Sequence, residues 1–385
     1  MHFSFATANN IRFGTGMLAQ AVSEAAQLGR RALLVTGRNP DRAHDFGLRL
    51  EKAGIETLRF SISGEPEIEQ VAAGAVLARQ AQCDLVIGFG GGSALDGAKA
   101  IAALAVNPGP VETYLEVIGQ GQPLQHAPLP CIAIPTTAGT GSEVTRNAVI
   151  KSTRHKVKVS LRSPRMLPTW ALVDPELTLS LPRGITAATG CDALTQLLEA
   201  FVSTKANPIT DALCREGLAR AGPALPRAAA QGNDLAARTD MALASLFSGL
   251  ALANAGLGAV HGIAGPLGGM IEGPHGALCA RLLPHVIEAN IKALSSNKQP
   301  RHCALARYAQ AARLLTGSPR ASMVDGVGWL HQLIRQLDIP GLHHWGLSVE
   351  AVPDLVARAQ RASSMKTNPA PLTDNEVTEI VLKAM

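Results

Sequence analysis

Short apolar runs alternate with helical periodicity along the first half of the chain. Runs typical of buried strands lie at Ala32–Val35, Leu58–Ser61, Asp84–Phe89 and Cys131–Ile134, followed by shorter ones at Ala148–Ile150 and Val157–Leu161. Stretches with an apolar residue every three to four positions, such as Leu18–Leu28 and Ile68–Gln80, lie between them and predict helices. Because parallel strands need long crossover connections, this alternation predicts a parallel sheet covered by helices on both faces.

The pattern changes after Pro182, where strand-like runs nearly vanish. Helical spacing of apolar residues continues over long stretches at Ile185–Ser203, Ile209–Leu225, Asp234–Ala253, Arg301–Leu315 and Val324–Leu337. We therefore predict an N-terminal α/β domain over residues 1–182 and an all-α C-terminal domain over residues 183–385.

Composition is that of a compact folded protein. Of the 385 residues, 46% are hydrophobic and 17% charged, while only 3% are aromatic, which disfavours a base-stacking surface for nucleic acid. The net charge of +5 is dispersed apart from a local cluster at Arg154–Lys158 with Arg162 and Arg165, so a small anionic ligand is favoured over nucleic acid.

The cysteines and the N-terminus predict a cytoplasmic location. The six cysteines are widely spaced without a C-x-x-C motif, as expected for buried reduced thiols. The N-terminus has no signal-peptide pattern, and no window offers eighteen consecutive uncharged apolar residues, so no membrane partner is predicted.

A glycine-rich turn follows the predicted strand Asp84–Phe89. Gly90-Gly91-Gly92-Ser93 leads from this strand into a helical stretch, and backbone N–H groups at such a helix start bind anions. Ser93 stands where a G-x-G-x-x-G motif has a glycine, so the motif is incomplete and a simple tight turn is the alternative.

A second polar turn, Pro135–Thr145, follows the next long strand and contains several hydroxyl groups and two glycines. A capped helix start would explain this turn by itself. Two such turns after successive parallel strands lie at one edge of the sheet, however, where open α/β folds bind nucleotides.

A carboxylate and two imidazoles in the second half are candidate ligands of a divalent metal. Asp192 and Gln196 share one face of a predicted helix, and His261 and His275 come from separate segments. Either histidine alone would more often be structural.

These motifs together resemble the iron-containing (group III) alcohol dehydrogenase family. The resemblance rests on Gly90–Ser93 with Asp96 and Lys99, Pro135–Thr145, Asp174–Leu177, Gly190–Thr195, His261, His275-Gly276, Leu283-Pro284-His285 and Asn368-Pro369. It implies a dehydroquinate synthase-like architecture, in which an α/β dinucleotide-binding domain precedes a helical metal-binding domain. It also implies an NAD(P)-dependent alcohol dehydrogenase or aldehyde reductase with small alcohols or aldehydes as substrates, assembled as a homodimer or larger oligomer.

The resemblance also assigns residues to the cofactor. Those expected at the pyrophosphate are Gly91, Gly92 and Ser93, and those expected along the adenosine and ribose are Thr136, Thr137, Thr145 and Leu177. Lys158 matches a lysine that reaches the cofactor, although a solvated edge-strand lysine would have the same sequence context.

The cofactor type is expected to depend on Gly37. Many family members carry an aspartate there that repels a 2′-phosphate, whereas this chain has Gly37 followed by Arg38 and Arg42. Guanidinium groups bind phosphate, so acceptance of NADP is favoured. If both arginines are only solvated loop charges, NAD still binds.

Two positions depart from the family pattern. Gln196 replaces a histidine ligand, so we expect Asp192, His261 and His275 to be catalytic ligands of Fe2+ or Zn2+, with Gln196 as a weak fourth ligand or substrate contact. Gly265 replaces a histidine that relays a proton in many members.

Two alternatives stay open: a metal-independent reductase of keto or carboxylate substrates, like the maleylacetate reductases, and a nucleotide-binding protein without turnover.

Overall fold

The structure, a computed structural model, describes residues 2–296 and 302–385. Backbone contacts divide the chain into two compact units. One consists of Thr7–Thr137 and Gly141–Thr178, and the other of Leu179–Met385 with Ala138–Thr140 and the N-terminal residues up to Ala6.

The first unit is built on a six-stranded parallel sheet with the order β1-β8-β5-β4-β2-β3. Its strands are β1 (Asn10–Phe13), β2 (Arg31–Thr36), β3 (Glu56–Ser61), β4 (Leu85–Gly90), β5 (Cys131–Pro135) and β8 (Trp170–Val173). The connecting helices are α1 (Leu18–Leu28), α2 (His44–Lys52), α3 (Ile68–Gln80) and α4 (Gly92–Val106). A separate antiparallel pair is formed by β6 (Asn147–Ser152) and β7 (Val157–Arg162).

Both faces of the sheet are buried, as the unbroken apolar runs predict. Leu33 and Val35 of β2 belong to one hydrophobic core, and Leu34 between them belongs to the other. Successive side chains of a strand point to opposite faces, so each face of β2 contributes to its own core. The predicted parallel α/β architecture is confirmed.

The second unit is helical, which confirms the predicted all-α part. Its helices are α5 (Arg183–Val202), α6 (Pro208–Ala230), α7 (Leu235–Ala255), α8 (Ala259–Met270), α9 (His275–Ser296), α10 (His302–Thr316), α11 (Met323–Gln336), α12 (Val352–Arg361) and α13 (Asp374–Ala384). Arg301, the first residue of a predicted helix, lies outside the described residues. The long helix α5 is buried almost all round, so its neighbours surround it.

Within the described residues, α7 is the one helix long and apolar enough to cross a membrane by length and composition. In the structure 61% of its apolar window is buried, and α7 packs against α5 and α6. A helix at the centre of a folded domain has the same composition, which explains α7 as a core element.

Candidate metal centre and nucleotide-binding edge

Four potential metal ligands meet in the helical unit. Asp192 lies on α5, His261 on α8, and His275 and Cys279 one turn apart at the start of α9. Their ligand atoms all lie within 4.8 Å of one another. The Nε2 atom of His261 is 3.3 Å, and that of His275 3.9 Å, from the same Oδ1 atom of Asp192. The structure thus brings together the predicted Asp192, His261 and His275, and it adds Cys279.

Gly276 allows α9 to start this close to α5. A Cβ atom on Gly276 would lie 2.0 Å from the carbonyl oxygen of Ala188 and 3.0 Å from Cβ of Asp192. No side chain fits at those distances, so glycine at this position sets the separation between His275 and Asp192.

His261 is oriented by a carboxylate that no sequence motif identified. Oε2 of Glu199 lies 2.5 Å from Nδ1 of His261, and Oε1 of Glu199 accepts a hydrogen bond of 2.7 Å from the backbone N–H of Val260. A carboxylate at Nδ1 holds the proton there, which leaves the lone pair of Nε2 directed at the cluster. Glu199 therefore selects the tautomer of His261 that can bind a metal.

Gln196 is beside the cluster, but its amide is already engaged. Its Oε1 atom accepts a hydrogen bond of 2.7 Å from Oγ of Ser248, and its amide group donates a hydrogen bond to Asp192. This hydrogen bond uses one of the two lone pairs of the amide oxygen. Gln196 in this arrangement orients the carboxylate of Asp192.

The other predicted site lies at the carboxyl ends of β2, β4 and β5, which are neighbours in the sheet. The backbone N–H of Thr136 donates to the carbonyl oxygen of Gly90, and a Cβ atom on Gly91 would be 3.4 Å from the side chain of Thr137. Helix α4 begins at Gly92, so its unpaired N–H groups lie at this edge. The structure therefore collects Gly91, Gly92, Thr136 and Thr137, with Ser93 in the first turn of α4.

The sequence model of the iron-containing alcohol dehydrogenase family matches residues 8–175, and that of the C-terminal part of the same family matches residues 186–385. The chain is 38% identical over 337 residues to alcohol dehydrogenase 4 of Saccharomyces cerevisiae strain YJM789, which covers 87% of this chain and 85% of the relative. It is 35% identical over 389 residues to 1,3-propanediol dehydrogenase of Klebsiella pneumoniae, covering 97% of both. A crystal structure of a 1,3-propanediol oxidoreductase superposes with a TM-score of 0.92 at 33% identity over all of both chains.

The chain belongs to the iron-containing alcohol dehydrogenase family. It is an oxidoreductase that acts on CH–OH groups, and family membership implies an NAD(P) nucleotide and a divalent metal.

The donor set fits the metal that the family implies. One carboxylate oxygen and two imidazole nitrogens suit Zn2+ or Fe2+, and a carboxylate behind one imidazole is the usual support of such a site. The cluster is partly open to solvent, because 33% of the His275 side chain is exposed. Acidic groups surround the two histidines, since Asp192, Glu199 and Cys279 all lie within contact distance of His261.

The pKa values show the sign of this local field. Burial lowers the pKa of His261, but the nearby Cys279, Glu199 and Asp192 outweigh it and raise the pKa well above its usual value. For Asp192 the signs are reversed: burial raises the pKa, but the hydrogen bond with His261 and the charges of both histidines outweigh burial and lower the pKa below its usual value. The cluster therefore stabilises positive charge among its acidic groups, as a site for a divalent cation must.

The pKa of Cys279 depends on the same competition between burial and neighbouring charges. Burial opposes ionisation of its thiol, whereas His275 and His261 favour it, and the net effect lowers the pKa of Cys279. The other buried cysteines of the helical unit behave differently, because burial dominates and raises the pKa of both Cys191 and Cys214.

The departure at Gly265 leaves open space. Gly265 lies one helical turn after His261 on α8, and a Cβ atom built on it meets no atom within 4 Å. The position that holds a proton-relaying histidine in many family members therefore has no side chain here and leaves room for a Cβ atom.

Two charged residues of α4, Lys99 and Asp96, fix the polar turn before β6. Nζ of Lys99, which is 1% exposed, donates to the carbonyl oxygen of Ser142 and to Oγ1 of Thr145, both at 2.9 Å. Asp96 accepts hydrogen bonds from Oγ of Ser142 and from the backbone N–H of Val149. The hydroxyl of Thr145, expected along the nucleotide, is thus bonded inside the protein.

Lys158 and Arg42, which the sequence places near the nucleotide, also have partners within the protein. Nζ of Lys158 lies 2.5 Å from Oε1 of Glu65 with 8% of its side chain exposed, so Lys158 is not a solvated edge lysine. Arg42 donates to the carbonyl oxygen of Leu177 at 2.7 Å and approaches Oγ1 of Thr136 at 3.5 Å. Arg42 therefore connects two residues expected at the nucleotide and is not simply a loop charge.

Proposed function

We propose that this dehydrogenase interconverts small alcohols and aldehydes with a divalent cation held by Asp192, His261 and His275. The observation that carries the proposal is the cluster of these ligand atoms within 4.8 Å, with Glu199 behind His261. When bound, the cation would supply Lewis-acid polarisation of the substrate oxygen, and the nicotinamide would accept the hydride from the alcohol or return it to the aldehyde.

The residues around the ligands prepare them for this task. Glu199 keeps the proton of His261 on Nδ1, and Gln196 fixes the carboxylate of Asp192 through a hydrogen bond that Ser248 supports from behind. Such partners keep the ligands in position before substrate arrives. Because Gly265 has no side chain, the proton of the alcohol leaves without help from this position.

For the nucleotide, we propose that Gly91, Gly92 and Ser93 hold the pyrophosphate with the N–H groups at the start of α4. Thr136, Thr137 and Leu177 lie along the adenosine and ribose, with Arg42 tying Leu177 to Thr136. Thr145 and Lys158 support the site indirectly through their bonds to Lys99 and Glu65.

We further propose that NADP(H) is accepted. A Cβ atom on Gly37 meets nothing within 4 Å, and the neighbouring Arg38 is exposed. The end of β2 therefore has open space at Gly37, no carboxylate at this position to repel a 2′-phosphate, and a guanidinium nearby to attract it.

The test combines metal analysis with NADH and NADPH oxidation across a panel of small aldehydes, before and after chelation. We expect activity to disappear on chelation and return with Zn2+ or Fe2+, and the variant Asp192→Asn to remain inactive after metal addition. Full activity of the metal-free protein would refute the metal-dependent reaction and support a reductase that works without metal. Cofactor binding without turnover of any substrate would support a silent nucleotide-binding protein.

A homo-oligomer and a cytoplasmic location stay predictions. Light scattering of the purified protein measures the oligomeric state.

A further inference from the structure

The thiol of Cys279 lies where a fourth metal ligand would be. Its Sγ atom is 3.6 Å from Nε2 of His275 and 3.8 Å from Nε2 of His261. Cys279 is fully buried and follows His275 by one turn of α9, so both side chains lie on one face of this helix.

Four of the six separations among these atoms are close to those of a tetrahedral site. Bonds of about 2.0–2.3 Å from a central ion to oxygen, nitrogen and sulfur place neighbouring ligand atoms about 3.3–3.8 Å apart. The separations from Asp192 Oδ1 to the two imidazoles are 3.3 and 3.9 Å, and those from Cys279 Sγ to the same imidazoles are 3.8 and 3.6 Å. The sulfur therefore fits this polyhedron as well as the carboxylate does.

Gln196 is a weaker candidate for this corner than Cys279. Its amide oxygen already accepts from Ser248, and its amide group donates to Asp192. A neutral amide is also a weaker ligand for a transition metal than a thiolate.

We propose that Cys279 is a metal ligand, so that the centre is Asp192, His261, His275 and Cys279 instead of one aspartate and three histidines. The inference rests on the proposed function and specifies the ligand set, to which the substrate oxygen would add as a fifth ligand. A thiolate is a soft ligand, so a site that contains one favours Zn2+, and Co2+ as its substitute, over Fe2+. A site with only oxygen and nitrogen ligands lacks this preference. The protein is therefore a zinc-selective member of its family.

The experiment uses the full-length protein, stripped of metal and loaded with Co2+. A cobalt ion bound by a thiolate shows a near-ultraviolet sulfur-to-metal charge-transfer band in addition to visible d–d bands. We expect this band in the wild type and its loss in Cys279→Ser. The matched control is Cys214→Ser on α6, a buried cysteine outside the cluster, which should keep the band.

A second group of possible ligands, His285, Glu288 and His331, contains no sulfur. Cobalt bound there adds no charge-transfer band, and the variant His331→Ala removes this group when metal stoichiometry is measured. Competition between Zn2+ and Fe2+ gives a further readout: Cys279→Ser should lower the zinc-over-iron preference about tenfold or more.

The outcomes separate the two proposals. Bound cobalt with d–d bands but no sulfur band in the wild type would overturn the role of Cys279 and leave the proposed function standing. Protein that binds no cobalt would overturn both. If Cys279→Ser does not fold, X-ray absorption of the zinc-loaded wild type decides, because a sulfur ligand gives a scatterer at about 2.3 Å.

Discussion

Replacing Glu199 by glutamine should weaken metal binding although Glu199 touches no metal. The carboxylate accepts from Nδ1 of His261 through one oxygen and from the backbone N–H of Val260 through the other. A glutamine has only one oxygen for these two donors. If its oxygen faces Val260, its NH2 group faces Nδ1 of His261 and favours the tautomer whose proton is on Nε2.

The size of the effect follows from this geometry. Loss of a carboxylate behind a metal-binding histidine lowers metal affinity about 10–100-fold, or roughly 1.4–2.7 kcal/mol. In the other orientation the NH2 group faces the N–H of Val260, and a buried donor without acceptor costs about 1–3 kcal/mol of folding free energy. We therefore expect a weaker zinc site, a less stable metal-free protein, or both.

The two effects are separated by two measurements. Competition with a chromophoric chelator gives the zinc dissociation constant of the folded protein, and urea unfolding of the metal-free protein gives its stability. The control is Glu24→Gln, which removes another buried carboxylate, paired with Arg12 at 2.6 Å in the α/β unit. Glu24→Gln should cost stability without changing zinc affinity. Wild-type zinc affinity together with wild-type stability in Glu199→Gln would refute the role of Glu199 in fixing the tautomer of His261.

Three further predictions concern the nucleotide edge, a buried acid and the missing proton relay. A Cβ atom on Gly37 meets nothing within 4 Å, so Gly37→Asp should fit and should repel a 2′-phosphate. We expect the ratio of kcat/KM for NADPH to that for NADH to fall at least about tenfold, or 1.4 kcal/mol. An unchanged ratio would contradict the argument from Gly37. Burial raises the pKa of Glu143 from 4.5 to about 7, so the unfolded chain ionises first and the wild type loses about 3 kcal/mol of stability as pH rises from 4.5 through 7. Glu143→Gln should remove this loss, which urea unfolding at pH 4.5 and pH 8 measures; the same pH dependence in both proteins would show that Glu143 ionises normally. Gly265→His should raise kcat for aldehyde reduction near neutral pH about tenfold or more, because the imidazole can donate the proton. Stability should not fall, because a Cβ atom at this position meets nothing within 4 Å and glycine is a poor helix former. A folded variant with a lower kcat would show that the proton does not pass this position.

Much of the fold could be predicted because its signals are local. The run Ala32–Val35 is apolar at every position, and the structure shows why: β2 is buried on both faces. The short strand β1, Asn10–Phe13, has no such signal, since it lies at the sheet edge with half-exposed side chains. Helices α8 and α9 contain Pro266 and Pro284 in their interiors, which obscures helical periodicity.

The candidate site could be predicted only in part. Asp192, His261 and His275 were found from residue type and family resemblance, and the structure brings them together. Glu199 and Cys279 act on atoms distant in sequence, across 62 and 18 positions to His261, so their contacts exist only in the folded chain. Spacing did offer a signal, because Cys279 follows His275 by four residues, the separation that places two side chains on one helical face.

The same reasoning applies to α5, where Asp192, Gln196 and Glu199 recur at intervals of four and three residues. All three are buried, on a helix otherwise surrounded by apolar side chains. A polar stripe inside a hydrophobic core is costly unless each group has a partner. In the structure each does, since Asp192 and Glu199 contact His261 from two sides and Gln196 joins Asp192 to Ser248. A buried polar stripe at helical spacing therefore marks the residues that build the site, including Glu199, which no ligand motif identifies.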